Sequence, residues 1–159
     1  MLEGPIFEPF FLLLRGSKKS NLKQSIKIEF DFNFDLIAVV SNAKDYRLIS
    51  KMNKVLHLEM VEIEDVEIIE NGSVSAFYSR YSFFDEDLEV QYVVVSNKHE
   101  NGYLVKECKE VDFFFLIEQP EQLSVMETAI SCLNNISEVQ MAFKMDVNKL
   151  KSRQNLIFE

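Results

Sequence analysis

The sequence predicts an α+β fold, in which a mainly antiparallel sheet carries two main helices on it. Several segments alternate apolar and polar side chains with the period of a half-buried strand, and two others repeat apolar side chains at helical spacing. The strand-like segments follow one another between the two helical ones, which favours antiparallel pairing of chain neighbours. With 159 residues, 47% of them hydrophobic, the chain can bury a core of this kind without disulfides.

The first elements are expected between residues 26 and 56. Residues 26–32 alternate between apolar and charged side chains, which predicts a strand with one buried face. The apolar run 36–40 is too short for periodicity to decide between a second strand and a packed connector. A helix over about 43–56 follows, with Asn42 as its expected N-cap and Asp45 in its first turn.

The middle of the chain predicts extended structure. Residues 61–69 interleave β-branched side chains with acids, and 74–84 and 88–96 are rich in aromatic and β-branched side chains. Asn101-Gly102 follows, and this dipeptide favours a two-residue hairpin turn because both residues tolerate a positive φ. A hairpin between 88–96 and 103–106 is therefore predicted.

The last elements complete the sheet. Residues 111–117 are apolar on nearly both faces, so this strand is expected at the centre of the sheet with helices on one side. Pro120 suits a first helical turn, and an apolar stripe from Leu123 to Leu133 predicts the second helix. Residues 139–145 alternate as a last strand, and a short helical turn is expected near 146–151.

The charge of the chain is concentrated in one part of the sequence. The net charge is −9, and residues 59–89 carry ten acids and one base, so the remaining residues are neutral overall. An acidic surface repels phosphate backbones and anionic lipids, so nucleic acid and membranes are unfavourable partners. The cluster Asp85-Glu86-Asp87 with Glu89 offers oxygen ligands but lacks the glycine and distal glutamate of a calcium loop, so a solvated surface is expected.

The residues of redox and metal chemistry are few. Cys108 and Cys132 have no Cys-x-x-Cys spacing, which is typical of ordinary thiols in a reducing cytoplasm. His57 and His99 are the only histidines and lie far apart in the sequence. No metal, cofactor or catalytic residue is predicted.

The amino-terminal segment does not resemble an export signal. Its apolar run, residues 10–14, is shorter than a signal-peptide core, and Glu3 and Glu8 precede it where positive charge is expected. We expect residues 1–20 to form an extension outside the core, and residues 21–159 to form one α+β domain.

Residues 105–113 read Val-Lys-Glu-Cys-Lys-Glu-Val-Asp-Phe. This signature segment resembles Ile-Pro-Glu-x-x-x-Val-Asp-Tyr, the signature of the IPExxxVDY family of small bacterial proteins of unknown function; Lys106 stands at the Pro position and Phe113 at that of Tyr. The segments 45–47, 97–98 and 150–156 are also similar, and the resemblance covers about residues 21–159. It implies candidate site residues but no activity: Asp45, Arg47, Lys98, Glu107, Asp112 and Phe113.

Two roles are open for the two signature carboxylates. Glu107 and Asp112 can share a proton and act as acid and base if they lie close together. Alternatively, they accept hydrogen bonds from the irregular segment 106–110 and pair with Arg47 or Lys98. We favour the second role, because carboxylates that hold a loop are commoner than catalytic pairs.

The sequence therefore predicts a non-enzymatic cytoplasmic protein that acts through protein–protein contacts, with an unknown partner or with itself. The aromatic-rich strands are its candidate contact surface. One alternative is a small-molecule-binding or enzymatic domain that uses the signature carboxylates together with Asp45 and Arg47. A weaker alternative is RNA binding through the basic carboxy-terminal tail, which contains Lys144, Lys149, Lys151 and Arg153.

Overall fold

A mainly antiparallel sheet and two helices make up residues 32–121 and 123–158, the part of the chain that the computed structural model describes. The elements in chain order are β1 (Asp35–Ser41), α1 (Asp45–Leu56), β2 (Val61–Glu70), β3 (Ser73–Asp85), β4 (Val90–Ser96), β5 (Lys98–His99), β6 (Gly102–Tyr103), β7 (Phe113–Glu118), α2 (Met126–Asn134) and β8 (Val139–Met145). Two short 3-10 helices, Val147–Lys149 and Arg153–Leu156, end the described chain. The predicted α+β fold is confirmed.

The main sheet has six strands in the order β2-β3-β4-β7-β1-β8. Every neighbouring pair in it is antiparallel. All six residues of β7 are buried, and the strand lies between β4 and β1, which confirms the central position predicted from its two apolar faces. The apolar run 36–40 lies within β1, so it is a strand and not a connector.

Both helices pack on one face of the sheet. Leu48, Ile49 and Met52 of α1 share a buried cluster with Phe113 and Phe115 of β7. Helix α2 contributes Met126, Ala129 and Leu133 to the same cluster. The helical stripes seen in the sequence therefore face the sheet.

Irregular segments cover the opposite face. Residues 104–111 pack Leu104, Val105 and Val111 against Phe114 and its neighbours. The carboxy-terminal segment adds three further buried side chains to this second core, those of Val147, Leu150 and Leu156. The second face is thus built by the signature segment and the end of the chain.

The predicted hairpin at Asn101-Gly102 is wrong in its strands. This turn joins only the two-residue strands β5 and β6, whereas β4 pairs with β3 and β7. The long hairpin is instead formed by β2 and β3 around Asn71-Gly72, where φ is 53° and 81°. Those values suit a type I′ turn, so the dipeptide signal was correct but the chain contains it twice.

The predicted helix starts also need correction. Helix α1 begins at Asp45 with Lys44 as its N-cap, which makes no side-chain capping bond, so Asn42 is not the cap. Helix α2 begins at Met126, and Pro120 lies before it in an irregular connection. There the side chain of Gln119 accepts a hydrogen bond from the N–H of Val125, which satisfies one donor at the helix start. The predicted strand over residues 26–32, except Phe32, and the predicted extension 1–20 lie outside the described residues.

Candidate functional site

A buried asparagine holds the signature segment in place. Asn97 follows β4, and its side chain is wholly buried. Its Nδ2 donates to the carbonyl oxygens of Cys108 and Val111, both at 2.8 Å, and its Oδ1 accepts from the N–H of Val105 at 2.8 Å. One amide therefore satisfies three backbone groups of an irregular segment that has no sheet partners.

Asp112 joins the end of the signature segment to β1. Its Oδ2 accepts from the N–H of Ser41 at 2.8 Å, and its Oδ1 lies 2.7 Å from Nζ of Lys98. Lys98 is one of the two cations considered as its partner from the sequence. Both carboxylate oxygens are thus engaged within the protein.

Four of the six candidate residues line one groove. Asp45, Lys98, Asp112 and Phe113 lie around a space of about 330 Å³, together with other residues that include Ser41, Ser79 and Ser96. We call this space the signature groove. It brings together residues that are far apart in the sequence.

Asp45 is bound on one side of this groove. Its Oδ1 accepts from the N–H of Tyr46 at 2.7 Å, and its carboxylate also accepts a hydrogen bond from the hydroxyl of Tyr81. Burial and the charge and hydrogen bond of Asp45 raise the pKa of Tyr81 far above its usual value. Tyr81 therefore stays protonated and acts as a hydrogen-bond donor.

Glu107 is placed elsewhere. Its two carboxylate oxygens accept from the backbone N–H and the hydroxyl of Ser152, each at 2.8 Å. Burial raises the pKa of Glu107, but the hydrogen bonds of Ser152 outweigh it, so the pKa is held below its usual value. Glu107 is not among the residues that line the signature groove, and it and Asp112 have separate partners.

Arg47 also points away from the groove. Its Nε donates to Oε2 of Glu138 at 3.2 Å, and Nζ of Lys51 lies 3.7 Å from the same oxygen. The hydroxyl of Ser137, followed by the hydrogen bond of Arg47, lowers the pKa of Glu138 to about 2 despite partial desolvation. This contact ties α1 to the start of β8.

Sequence reasoning missed several residues that organise the site. Asn97 and Ser152 lie in segments that carry the resemblance, but their sequence positions do not reveal their partners. Ser41 and Glu138 have no sequence signal, because their roles arise only when β1 and β8 are brought beside the loop and α1. All four stabilise irregular backbone or join separate elements.

The described residues hold no arrangement typical of metal chemistry. Within residues 32–121 and 123–158 no group of three histidine, cysteine, aspartate or glutamate side chains is placed to hold a metal ion. Both cysteines are free, and burial, followed by the charges of Glu110 and Glu107, raises the pKa of the Cys108 thiol. Over the same residues, no helix is both long and apolar enough to cross a membrane.

Together, the fold and the groove define an α+β protein in which a signature loop is fastened across a six-stranded antiparallel sheet. No model of a protein family matches the chain, and no curated protein matches it. The function is therefore argued from the contacts themselves.

Replacing Asp112 with asparagine is expected to lower the free energy of unfolding by about 1–2 kcal/mol, because a charge-assisted bond to Lys98 becomes a neutral one. Urea denaturation measures this change. The control is Asp146→Asn, in which asparagine still accepts from the N–H of Asn148 and stability is retained. Equal stability of the two variants would contradict a bracing role for Asp112.

Proposed function

We propose that this chain is a non-enzymatic protein-interaction domain whose partner binds along the β2–β3 hairpin. The observation that carries this proposal is the composition of the hairpin surface, in which exposed apolar side chains are interleaved with acids on an open edge of the sheet. The side chains exposed there are Val61, Ile63, Ile69, Val74 and Phe77. We call this surface the acidic hairpin.

The acidic hairpin has an unpaired edge. Strand β2 is ten residues long and lies at one end of the main sheet, so one row of its backbone N–H and C=O groups has no strand partner in the described sheet. Such an edge pairs readily with an added extended segment, and apolar side chains at alternate positions supply specificity.

The charge of β2 selects the kind of partner. Its five acids, all exposed, are Glu62, Glu64, Asp65, Glu67 and Glu70. A second copy of β2 brings the same acids and is repelled, which disfavours self-association through this edge. An extended segment with lysine or arginine between apolar residues complements both features, so the partner we propose is a protein that presents such a basic segment.

Phe77 is the expected anchor of this contact. It lies opposite Glu67 in the hairpin and is 48% exposed, whereas Tyr78 and Tyr81 of the same strand are buried. Of the aromatic side chains singled out in the sequence, Phe77 thus offers the most area to a partner.

A fluorescent ten-residue peptide in which lysine alternates with valine is the probe, and anisotropy measures its binding. We expect Phe77→Ser to weaken binding at least fivefold, because it removes the central apolar contact. Raising the salt concentration is expected to weaken binding further, since the acids contribute by charge.

Leu88→Ser is the matched control, because Leu88 is 46% exposed but lies in the turn between β3 and β4. The second control is a peptide in which glutamate alternates with valine. The proposal fails if Phe77→Ser and Leu88→Ser bind alike, or if the acidic peptide binds as well as the basic one.

A second candidate function is small-molecule binding in the signature groove. The observation that favours it is the presence of Lys98 and Asp45 beside the hydroxyls of Ser79 and Ser96 in one concave space. The engagement of both Asp112 oxygens favours a bracing role instead. Amide shifts at Ser96 and Lys98 on addition of polar metabolites would support binding, and unchanged spectra would oppose it.

The family and the location are also part of the proposal. We propose that the chain belongs to the family that its signature segment resembles, on the matches at Glu107, Val111 and Asp112. The two free cysteines suit a cytoplasmic location. Neither point bears on the acidic hairpin, which rests on its own surface chemistry.

A further inference from the structure

A second concave space lies at the end of β7, away from the signature groove. It measures about 620 Å³, within the usual range for small-molecule sites. Its walls include the rings of Phe32 and Phe34, with centroids 6.2 Å apart in an edge-to-face arrangement, and the apolar side chains of Pro120 and Leu123. We call it the Glu118 cavity.

Glu118 lines this cavity and is an unusual residue to find there. It is only 5% exposed, and its Oε2 has no hydrogen-bond partner within the described part of the chain. Gln91 lies opposite it on β4, but the amide nitrogen of Gln91 donates to the carbonyl oxygens of Phe83 and Tyr92. A buried carboxyl oxygen without a donor is costly, so its retention needs a reason.

The charges around the cavity have one sign. Asp35 and Glu121 line it with Glu118, and the described lining residues include no lysine, arginine or histidine. Gln119 is occupied, since its amide nitrogen donates to Asp35 and its oxygen accepts from the N–H of Val125. Arg153 lies over the ring of Phe32, 5.5 Å from its centroid, and donates to the carbonyl oxygen of Leu150.

This combination selects a ligand class. An anion is repelled by three carboxyl groups. A metal ion needs several converging ligands, and the described residues hold no such group. An ammonium group attached to an apolar body satisfies the carboxyl oxygen, the charge and the aromatic walls together.

We propose that the Glu118 cavity binds a small organic amine in its protonated form, with the ammonium group bound to Glu118 and the apolar body against Phe32, Phe34 and Leu123. Burial alone raises the pKa of Glu118 to about 8, so the free site carries a proton near pH 7. Binding of an ammonium ion then displaces that proton to solvent, and the ligand keeps its own.

The probes are phenethylamine, neutral 2-phenylethanol and anionic 3-phenylpropanoate, titrated calorimetrically into the full chain at pH 7. We expect phenethylamine to bind at least tenfold more tightly than the other two. Titrations in two buffers with different ionisation enthalpies are expected to show release of about one proton per amine bound.

Glu118→Gln keeps the shape of the side chain and removes its charge, and we expect it to weaken amine binding at least tenfold and to abolish proton release. Glu127→Gln is the control, because Glu127 is exposed in the first turn of α2 and does not line the cavity. Nitrogen–proton spectra are expected to shift at Asp35, Gln119 and Ser124. Equal affinity for the alcohol, unchanged binding by Glu118→Gln, or no amine binding at millimolar concentration would each overturn the proposal.

Discussion

Replacing Asn97 with alanine is expected to lower the free energy of unfolding by about 3–5 kcal/mol. The substitution removes three hydrogen bonds at a wholly buried position and leaves the carbonyl oxygens of Cys108 and Val111 and the N–H of Val105 without those partners. Each buried polar group left unpaired costs about 1–3 kcal/mol, so the total is large compared with the stability of a small domain. Urea denaturation monitored by circular dichroism measures it.

The matched control is Asn53→Ala, because Asn53 also binds backbone through both ends of its amide. Its Nδ2 donates to the carbonyl oxygen of Met60 and its Oδ1 accepts from the N–H of Met60, at 3.0 Å and 2.9 Å. The site is only partly buried, so water replaces the lost bonds and the expected loss is about 1–2 kcal/mol. An Asn97 variant no less stable than the Asn53 variant would contradict the central role of Asn97.

Asn97→Asp separates the hydrogen bonds from the size of the side chain. Aspartate still accepts from the N–H of Val105, but its second oxygen then faces the two carbonyl oxygens that Nδ2 binds in the wild type. The ionised form is repelled there, and the protonated form donates to one of them. The variant is therefore expected to lose less stability at pH 4 than at pH 7, relative to the wild type.

The sequence predicted the parts of the fold that depend on local periodicity. The apolar run of β7 indicated a strand with two covered faces, and the stripe Leu48, Ile49 and Met52 indicated a helix packed on one of them. These patterns reflect burial, which the side chains themselves record. The class of fold and the central strand followed from them.

The turns were harder to predict, because their outcome depends on distant partners. Asn-Gly occurs at 71–72 and at 101–102, and local propensity does not distinguish the two sites. At the second site the side chain of Asn101 donates to the carbonyl oxygen of Ser75, and its N–H donates to Nδ1 of His99. Those contacts belong to the folded protein and leave no mark in the dipeptide.

The partners of the candidate residues were beyond prediction for the same reason. Glu107 binds Ser152, and Arg47 binds Glu138, across separations of 45 and 91 residues in the chain. The sequence indicated which residues to examine, but only the strand order brings β8 and the carboxy-terminal segment beside them. Glu118 was not a candidate at all, because in the sequence it resembles an ordinary polar end of a strand.

Glu118 is expected to make stability depend on pH in the range from about 5 to 8. Burial raises its pKa in the folded protein to about 8, while a carboxyl in the unfolded chain titrates near pH 4.3, an approximate reference value. Below both values each state holds the proton, and Glu118 imposes no ionisation cost. Between them only the unfolded state ionises, so the free energy of unfolding falls as the pH rises, and it levels off above about pH 8.

Glu118→Gln is expected to remove this fall, so that at pH 8 the variant is about 2–4 kcal/mol more stable relative to the wild type than it is at pH 5; the lower end allows for partial contact of the carboxyl with solvent. Groups common to both proteins cancel in this difference, which chemical denaturation measures at a series of pH values. Glu127→Gln, at an exposed position, is expected to show no such gain. A wild type whose stability rises from pH 5 to pH 8 as much as that of Glu118→Gln would mean that Glu118 is ionised in the folded protein, because a proton retained by the fold must lower stability over that range.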